Sequence, residues 1–142
     1  MEATVADAIA RWIMATSSIA VTRNRLMTSV VALLVLQVVH GAVPANTKSE
    51  GYVGTIAGLF ALAATIASIV GLRRGRTWAR PLAGITGASV AVGFVLYHVL
   101  PFHTPLTNPY IGLVGVGPWL PVIAVVLAGL ACAYYARGAV DR

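Results

Sequence analysis

Three histidines and a glutamine are the side chains of this sequence best suited to binding chemistry. His40 and His98 each stand near the end of a long apolar run. His103 follows in a proline-rich segment, and Gln37 precedes His40 by about one helical turn. Neutral imidazoles hold zinc and copper, and two of them from different helices can hold haem iron. Binding of a metal ion or a haem is therefore the most specific function that these residue types could support.

Two interpretations of the histidines stay open. In the first, His40, His98 and His103 hold a metal ion, with Glu50 or water completing its shell, or His40 and His98 hold a haem. In the second, His40 and His98 make hydrogen bonds between helices, and His103 is a solvated loop residue. The sequence has no His-x-x-x-His pair and no Cys–His spacing, and this absence favours the second interpretation.

Missing motifs argue against an enzyme. The chain contains no C-x-x-C motif, no phosphate-binding loop and a single cysteine, Cys132. Its long apolar runs hold no Asp, Glu, Lys or Arg, although proton relays and ion-coupled transporters normally depend on such groups inside the membrane. We therefore expect a non-enzymatic protein.

Four apolar segments must position the candidate residues. They cover residues 26–43, 52–72, 81–100 and 119–136. A helix of about 20 apolar residues crosses the hydrocarbon core of a bilayer. The chain is 58% hydrophobic and 10% charged, whereas soluble domains are about 45–50% apolar and about 25% charged. The sequence predicts an all-α polytopic membrane protein, a four-transmembrane-helix bundle forming one domain over residues 1–142.

Residues 1–22 have a weaker, amphipathic pattern. Val5, Ile9 and Trp12 follow helical spacing, and Thr4 with Asp7 resembles a capping box. We expect a short interfacial helix here, lying on the cytoplasmic leaflet.

The basic residues are distributed unevenly along the chain. Lys48 lies between the first two apolar segments, while the arginines flank the segments at their other ends: Arg11, Arg23, Arg25, Arg73, Arg74, Arg76, Arg80, Arg137 and Arg142. Arginines near membrane spans stay on the cytoplasmic side. The pattern predicts a bacterial-type plasma-membrane protein with both termini in the cytoplasm and its histidines on the outer side. The net charge of +6 then indicates contact with membrane lipids rather than with nucleic acid.

Small residues recur along the middle segments. One set lies on the second segment and one on the third: Gly54, Gly58, Ala61, Thr65 and Ser68; Gly84, Gly87 and Ala91. Such stripes let membrane helices approach closely. Ser89 and Gly93 lie on a further face of the third segment. We therefore expect an accessory or scaffold subunit that packs against other membrane subunits or against copies of itself.

A second function fits the same sequence. A small binding protein could hold a metal ion, haem, quinone or lipid at the outer face through His40 and His98. Further polar and aromatic residues near that face would line the pocket: Gln37, Tyr97, Asn108 and Tyr110. The segment 101–118 contains four prolines and no charge, so it is expected to form a stiff cap over this end.

Overall fold

The computed structural model describes residues 4–42, 52–101, 107, 109–111 and 115–138. Its four helices are α1 (Val5–Ala42), α2 (Tyr52–Arg73), α3 (Ala79–His98) and α4 (Val116–Arg137). Each contains a stretch long and apolar enough to cross a membrane, with α1 contributing Ala20–Ala42. The predicted all-α fold with four spans is confirmed, and the chain has the character of a multi-pass membrane protein.

Helix α1 differs from the expected arrangement of a short interfacial helix followed by a separate span. It is one continuous helix of 38 residues, about 57 Å long at about 1.5 Å per residue. The physical reason is local, since no proline or glycine interrupts residues 5–40. The expected capping interaction is present. The Thr4 hydroxyl donates to an Asp7 carboxylate oxygen at 2.8 Å and accepts from the Asp7 backbone N–H at 3.4 Å.

Glycine and proline mark the other helix ends. Gly75 has φ 64°, a left-handed conformation, in the short turn that reverses the chain between α2 and α3. Pro81 stands in the first turn of α3, as expected, because the N–H that proline lacks would have no partner there. Gly115 is extended and precedes α4, which tolerates Pro121 in its interior.

The four helices pack in chain order around a square. The most extensive contact joins α3 and α4, followed by α1 with α4, α2 with α3 and α1 with α2. The ends of α1 and α3 bring His40 and His98 together at what we call the histidine end. The opposite end, called here the arginine end, carries the turn between α2 and α3 and the last residues of α4.

The inward stripe of α1 changes character along its length. Leu26, Val30 and Leu33 are almost fully buried in the apolar core. Continuing the same helical spacing by four and then three residues reaches Gln37 and His40. Helical geometry therefore carries a polar side chain and an imidazole into the bundle at the histidine end.

Candidate ligand-binding cleft at the histidine end

The histidines of α1 and α3 converge. The ring centroids of His40 and His98 are 5.0 Å apart, and the rings meet edge to face at 69°. Phe94, one turn before His98 on α3, lies 4.8 Å from the His40 ring and 5.5 Å from the His98 ring. Tyr97 meets His98 edge to face at 4.9 Å. Together His40, Phe94, Tyr97 and His98 form an aromatic cluster between α1 and α3.

The segment after α3 folds back over this cluster. The Tyr110 backbone N–H donates to the His98 carbonyl at 2.9 Å. The Tyr110 ring lies 4.3 Å from the His98 ring and 5.8 Å from that of Trp119 on α4. Tyr110 and His98 are each only 2% exposed. The His98 ring is therefore enclosed by neighbouring aromatic rings, one of which is that of Tyr110.

Gln37 joins α1 to α2 through a hydrogen-bond network that also sets the orientation of its amide. The Thr65 hydroxyl donates to the Ala61 carbonyl at 2.7 Å, so its oxygen can only accept from Gln37. The Gln37 Nε2 group supplies that bond at 3.1 Å and a second one to the Leu33 carbonyl at 3.3 Å. Both amide hydrogens are thus committed, and Gln37 Oε1 accepts from no described residue.

A cleft of about 740 Å³ runs from this network along α2 and α3. Four of the residues singled out from the sequence line its histidine end: Gln37, His40, Tyr97 and His98. Its walls are almost entirely apolar and include Leu62, Leu82 and Val90. None of the described residues lining it is Asp, Glu, Lys or Arg. The arrangement offers a largely apolar channel with an amide and two imidazoles at one end and the hydroxyl-bearing residues Thr86 and Ser89 further along α3.

The cleft exists because α2 and α3 touch at both ends and separate between them. At the histidine end the Tyr97 phenol lies directly against Gly54, and at the arginine end the Trp78 ring lies against Gly71. Between these contacts, a side-chain carbon added at Gly58 or at Gly93 would meet nothing within 4 Å. The small-residue stripe of α2 was expected to pack closely; it does so at Gly54, Thr65 and Ser68, whereas Gly58 stays open.

The described part of the chain brings no three His, Cys, Asp or Glu residues close enough together to hold a metal ion. A haem ligated by His40 and His98 would need its iron and macrocycle between the two rings. Their edge-to-face contact leaves no space for that plane. Three candidate ligand residues named from the sequence, Glu50, His103 and Asn108, lie outside the described residues.

Sequence reasoning missed Phe94 and did not foresee a cleft lined by three small residues. Phe94 stands four residues before His98, so both share one face of α3, a spacing visible in the sequence. Gly58, Ser89 and Gly93 were predicted to form packing surfaces, and within this chain they line the cleft. No feature of the sequence near these three residues distinguishes an open groove from a closed interface.

The geometry of this end therefore defines a candidate site for a small, largely apolar molecule. Comparison with protein-family models, curated proteins and solved structures found no match for this chain.

Proposed function

We propose that this chain is a small membrane protein that binds a lipid-like molecule in the cleft between α1, α2 and α3. The observation that carries the proposal is the asymmetry of the cleft. Its walls along α2 and α3 are mostly apolar, with the small hydroxyl residues Thr55, Thr86 and Ser89 among them, while Gln37, His40 and His98 lie together at one end. A molecule with a hydrocarbon tail and a small polar head matches that asymmetry.

The size of the cleft favours a small molecule over a partner helix. Ligand pockets generally have volumes of about 300–1,000 Å³, and this cleft has about 740 Å³. Two turns of α-helix with side chains occupy roughly 1,000 Å³, for a diameter of about 11 Å and a rise of about 1.5 Å per residue. A transmembrane helix would therefore overfill the cleft, while a single hydrocarbon chain fits between Gly58 and Gly93.

The proposed orientation places the polar end of the cleft on the outer side of a bacterial-type plasma membrane, with both termini in the cytoplasm. Arg23, Arg73, Arg80 and Arg137 lie at or near the arginine end, which the positive-inside rule assigns to the cytoplasmic face. Labelling by a membrane-impermeant thiol reagent tests this orientation in intact cells. Cysteine placed at Gly115 should be labelled and cysteine at Arg76 should not; the reverse pattern would refute the orientation.

Filling the cleft tests the binding proposal. Gly58→Leu adds a side chain where nothing lies within 4 Å, so the bundle should fold while the ligand is displaced. Ala63→Leu is the matched control, because Ala63 is exposed on α2 and lies outside the cleft lining. Mass spectrometry of small molecules that co-purify in mild detergent should show a species retained by the wild type and by Ala63→Leu and lost from Gly58→Leu. Equal retention by all three would contradict the proposal.

A second candidate function is that of an accessory subunit in a larger membrane complex. Helix α1 begins 15 residues before its membrane-spanning stretch starts at Ala20. Val5, Ile9, Trp12 and Ile13 recur on one side of that extension and are exposed. Such a stripe suits docking to a partner or to the membrane surface. Blue-native electrophoresis after mild solubilisation tests docking to a partner, and a band at the monomer mass alone would count against it.

A further inference from the structure

The described lining of the cleft offers an anionic head no guanidinium or ammonium group. None of its described lining residues is Lys or Arg, and His40 lies 15 residues from Arg25 on the same helix, about 22 Å. A phosphate or carboxylate brought into an apolar bundle needs a cation or several donors to offset its desolvation. The polar head of a molecule bound here should therefore be neutral.

The hydrogen-bond network at Gln37 adds a requirement on that head. Gln37 lines the cleft and is only 7% exposed. Its amide hydrogens are used by Leu33 and Thr65, which leaves Oε1 as an acceptor without a donor among the described residues. An acceptor at the wall of an apolar cleft is stabilised when it receives a hydrogen bond. A ligand head that carries a hydroxyl would supply this bond.

The aromatic cluster adds a requirement on shape. His40, Phe94, Tyr97 and His98 all line the cleft, and their rings present edges and faces within a few ångströms of one another. Aromatic rings pack favourably on other planar rings, either offset or edge to face. A planar ring fits this lining better than a branched glycerol head would, because it can extend the cluster without breaking its existing contacts.

Taken together, the geometry points to a neutral lipid whose head is a hydroxyl-bearing aromatic ring, the chemical class of prenylated hydroquinones and phenols. This inference rests on the proposed lipid-binding function and specifies its ligand class. The hydroxyl donates to Gln37 Oε1, the ring packs against His40 and Phe94, and the hydrocarbon tail follows the open stretch between Gly58 and Gly93.

The test compares two probes that differ in one property. Geranyl hydroquinone carries the hydroxyl donors, while its dimethyl ether keeps the ring and the tail but cannot donate. Binding to the full chain in nanodiscs of zwitterionic lipid is followed by quenching of intrinsic fluorescence. We expect the hydroquinone to bind about tenfold more tightly than the ether, the size of one good hydrogen bond. Gly58→Leu should weaken both.

Two variants test whether Gln37 is responsible for the preference for the hydroquinone over its ether. Gln37→Leu removes the acceptor and should reduce the tenfold preference to nearly none while the ether still binds. Thr65→Val removes the partner of the amide nitrogen and leaves Oε1 in place, so the preference should persist. If a variant fails to fold, the comparison of the two probes on the wild-type chain remains the deciding measurement.

The outcomes separate this inference from the proposed function. If both probes bind equally and Gly58→Leu displaces both, the cleft binds lipids and the inference about the head is overturned. If phosphatidylglycerol competes for the cleft better than the hydroquinone does, the inference that the head is neutral is likewise overturned. If neither probe binds, and neither phosphatidylglycerol nor diacylglycerol is displaced by Gly58→Leu, the proposed function itself fails.

Discussion

Helix α3 meets its two antiparallel neighbours through small residues, but one interface is closely packed and the other is open. Against α4, Gly87 packs on Cys132 and on the Gly129 backbone, so the two helices approach at backbone distance. Against α2, Gly93 and the opposing Gly58 face open space. Glycine permits a close approach in both places. What differs is the size of the side chains nearby, which are small on α4, whereas the bulky Tyr97 ring of α3 lies against Gly54 of α2.

The comparison teaches that a stripe of small residues has no fixed meaning in a membrane bundle. It can close an interface, or it can leave a groove when bulky residues flank it on the opposing helix. In this chain the closed interface holds the bundle together, and the open one provides the cleft. Four experiments would break or sharpen this distinction.

The largest effect is expected from filling the closed interface. Gly87→Leu would force a side chain into the backbone of α4, which should destabilise the bundle by about 3 kcal/mol. Reversible unfolding in mixed detergent micelles measures the change. Gly58→Leu is the control, since the same side chain there enters open space and should change the unfolding free energy much less. Equal losses for the two variants would show that both interfaces are closed.

Removing an aromatic spacer should convert the open interface into a closed one. Tyr97→Ala deletes the ring that lies against Gly54, so α2 and α3 should draw together at a cost of about 2 kcal/mol in unfolding free energy. Cysteines at Gly58 and Gly93, in a Cys132→Ala background, report the approach through disulfide formation. We expect rapid cross-linking only with Tyr97→Ala. Tyr97→Phe keeps the ring and should cross-link as slowly as the pair alone, and fast cross-linking in that background would contradict the spacer role.

The hydrogen bond between α1 and α2 should contribute less. Gln37→Leu and Thr65→Val each remove one partner, and together they form a double-mutant cycle for the bond at 3.1 Å. Hydrogen bonds between membrane helices stabilise by about 1 kcal/mol. A coupling energy of that size is expected from unfolding measurements on the wild type, both single variants and the double variant. Strictly additive effects would mean that the bond makes no net contribution.

The smallest effect is expected at an open glycine. Gly58→Ala should stabilise α2 by about 0.5 kcal/mol, because alanine favours the helix and the added carbon meets nothing. Gly84→Ala makes the matched comparison at the closed interface, where the added carbon would overlap with Ala136. Thermal unfolding should therefore shift upward for Gly58→Ala and downward for Gly84→Ala. Shifts of the same sign would remove the distinction between the interfaces.

Much of the site followed from the sequence, and the reasons are local. Gln37 and His40 lie on the same helical stripe as Leu26 and Leu33, so their inward position could be inferred from spacing. The connection between α2 and α3 is so short that the two helices must be antiparallel neighbours. The continuity of α1 through Arg23 was missed, because a charged flank was read as a boundary although nothing there breaks a helix.

Other features could not be read from the sequence because they depend on two distant segments at once. The ring of Tyr110 reaches His98 only because the chain after α3 folds back and donates a hydrogen bond to the His98 carbonyl. The separation of α2 from α3 depends on how Tyr97 of α3 meets Gly54 of α2. The spacing of residues within either segment gives no information about such pairings.

The sequence by itself determined the number of membrane spans and the approximate limits of α2, α3 and α4. The cost of placing charge in hydrocarbon keeps arginine out of the long apolar segments, and a helix needs about 20 apolar residues to cross the membrane. Only the tertiary structure decided that His40 and His98 meet, that Phe94 joins them and that one glycine stripe stays open. The physical reason is that packing depends on the sizes of opposing side chains, which become neighbours only once the four helices have assembled.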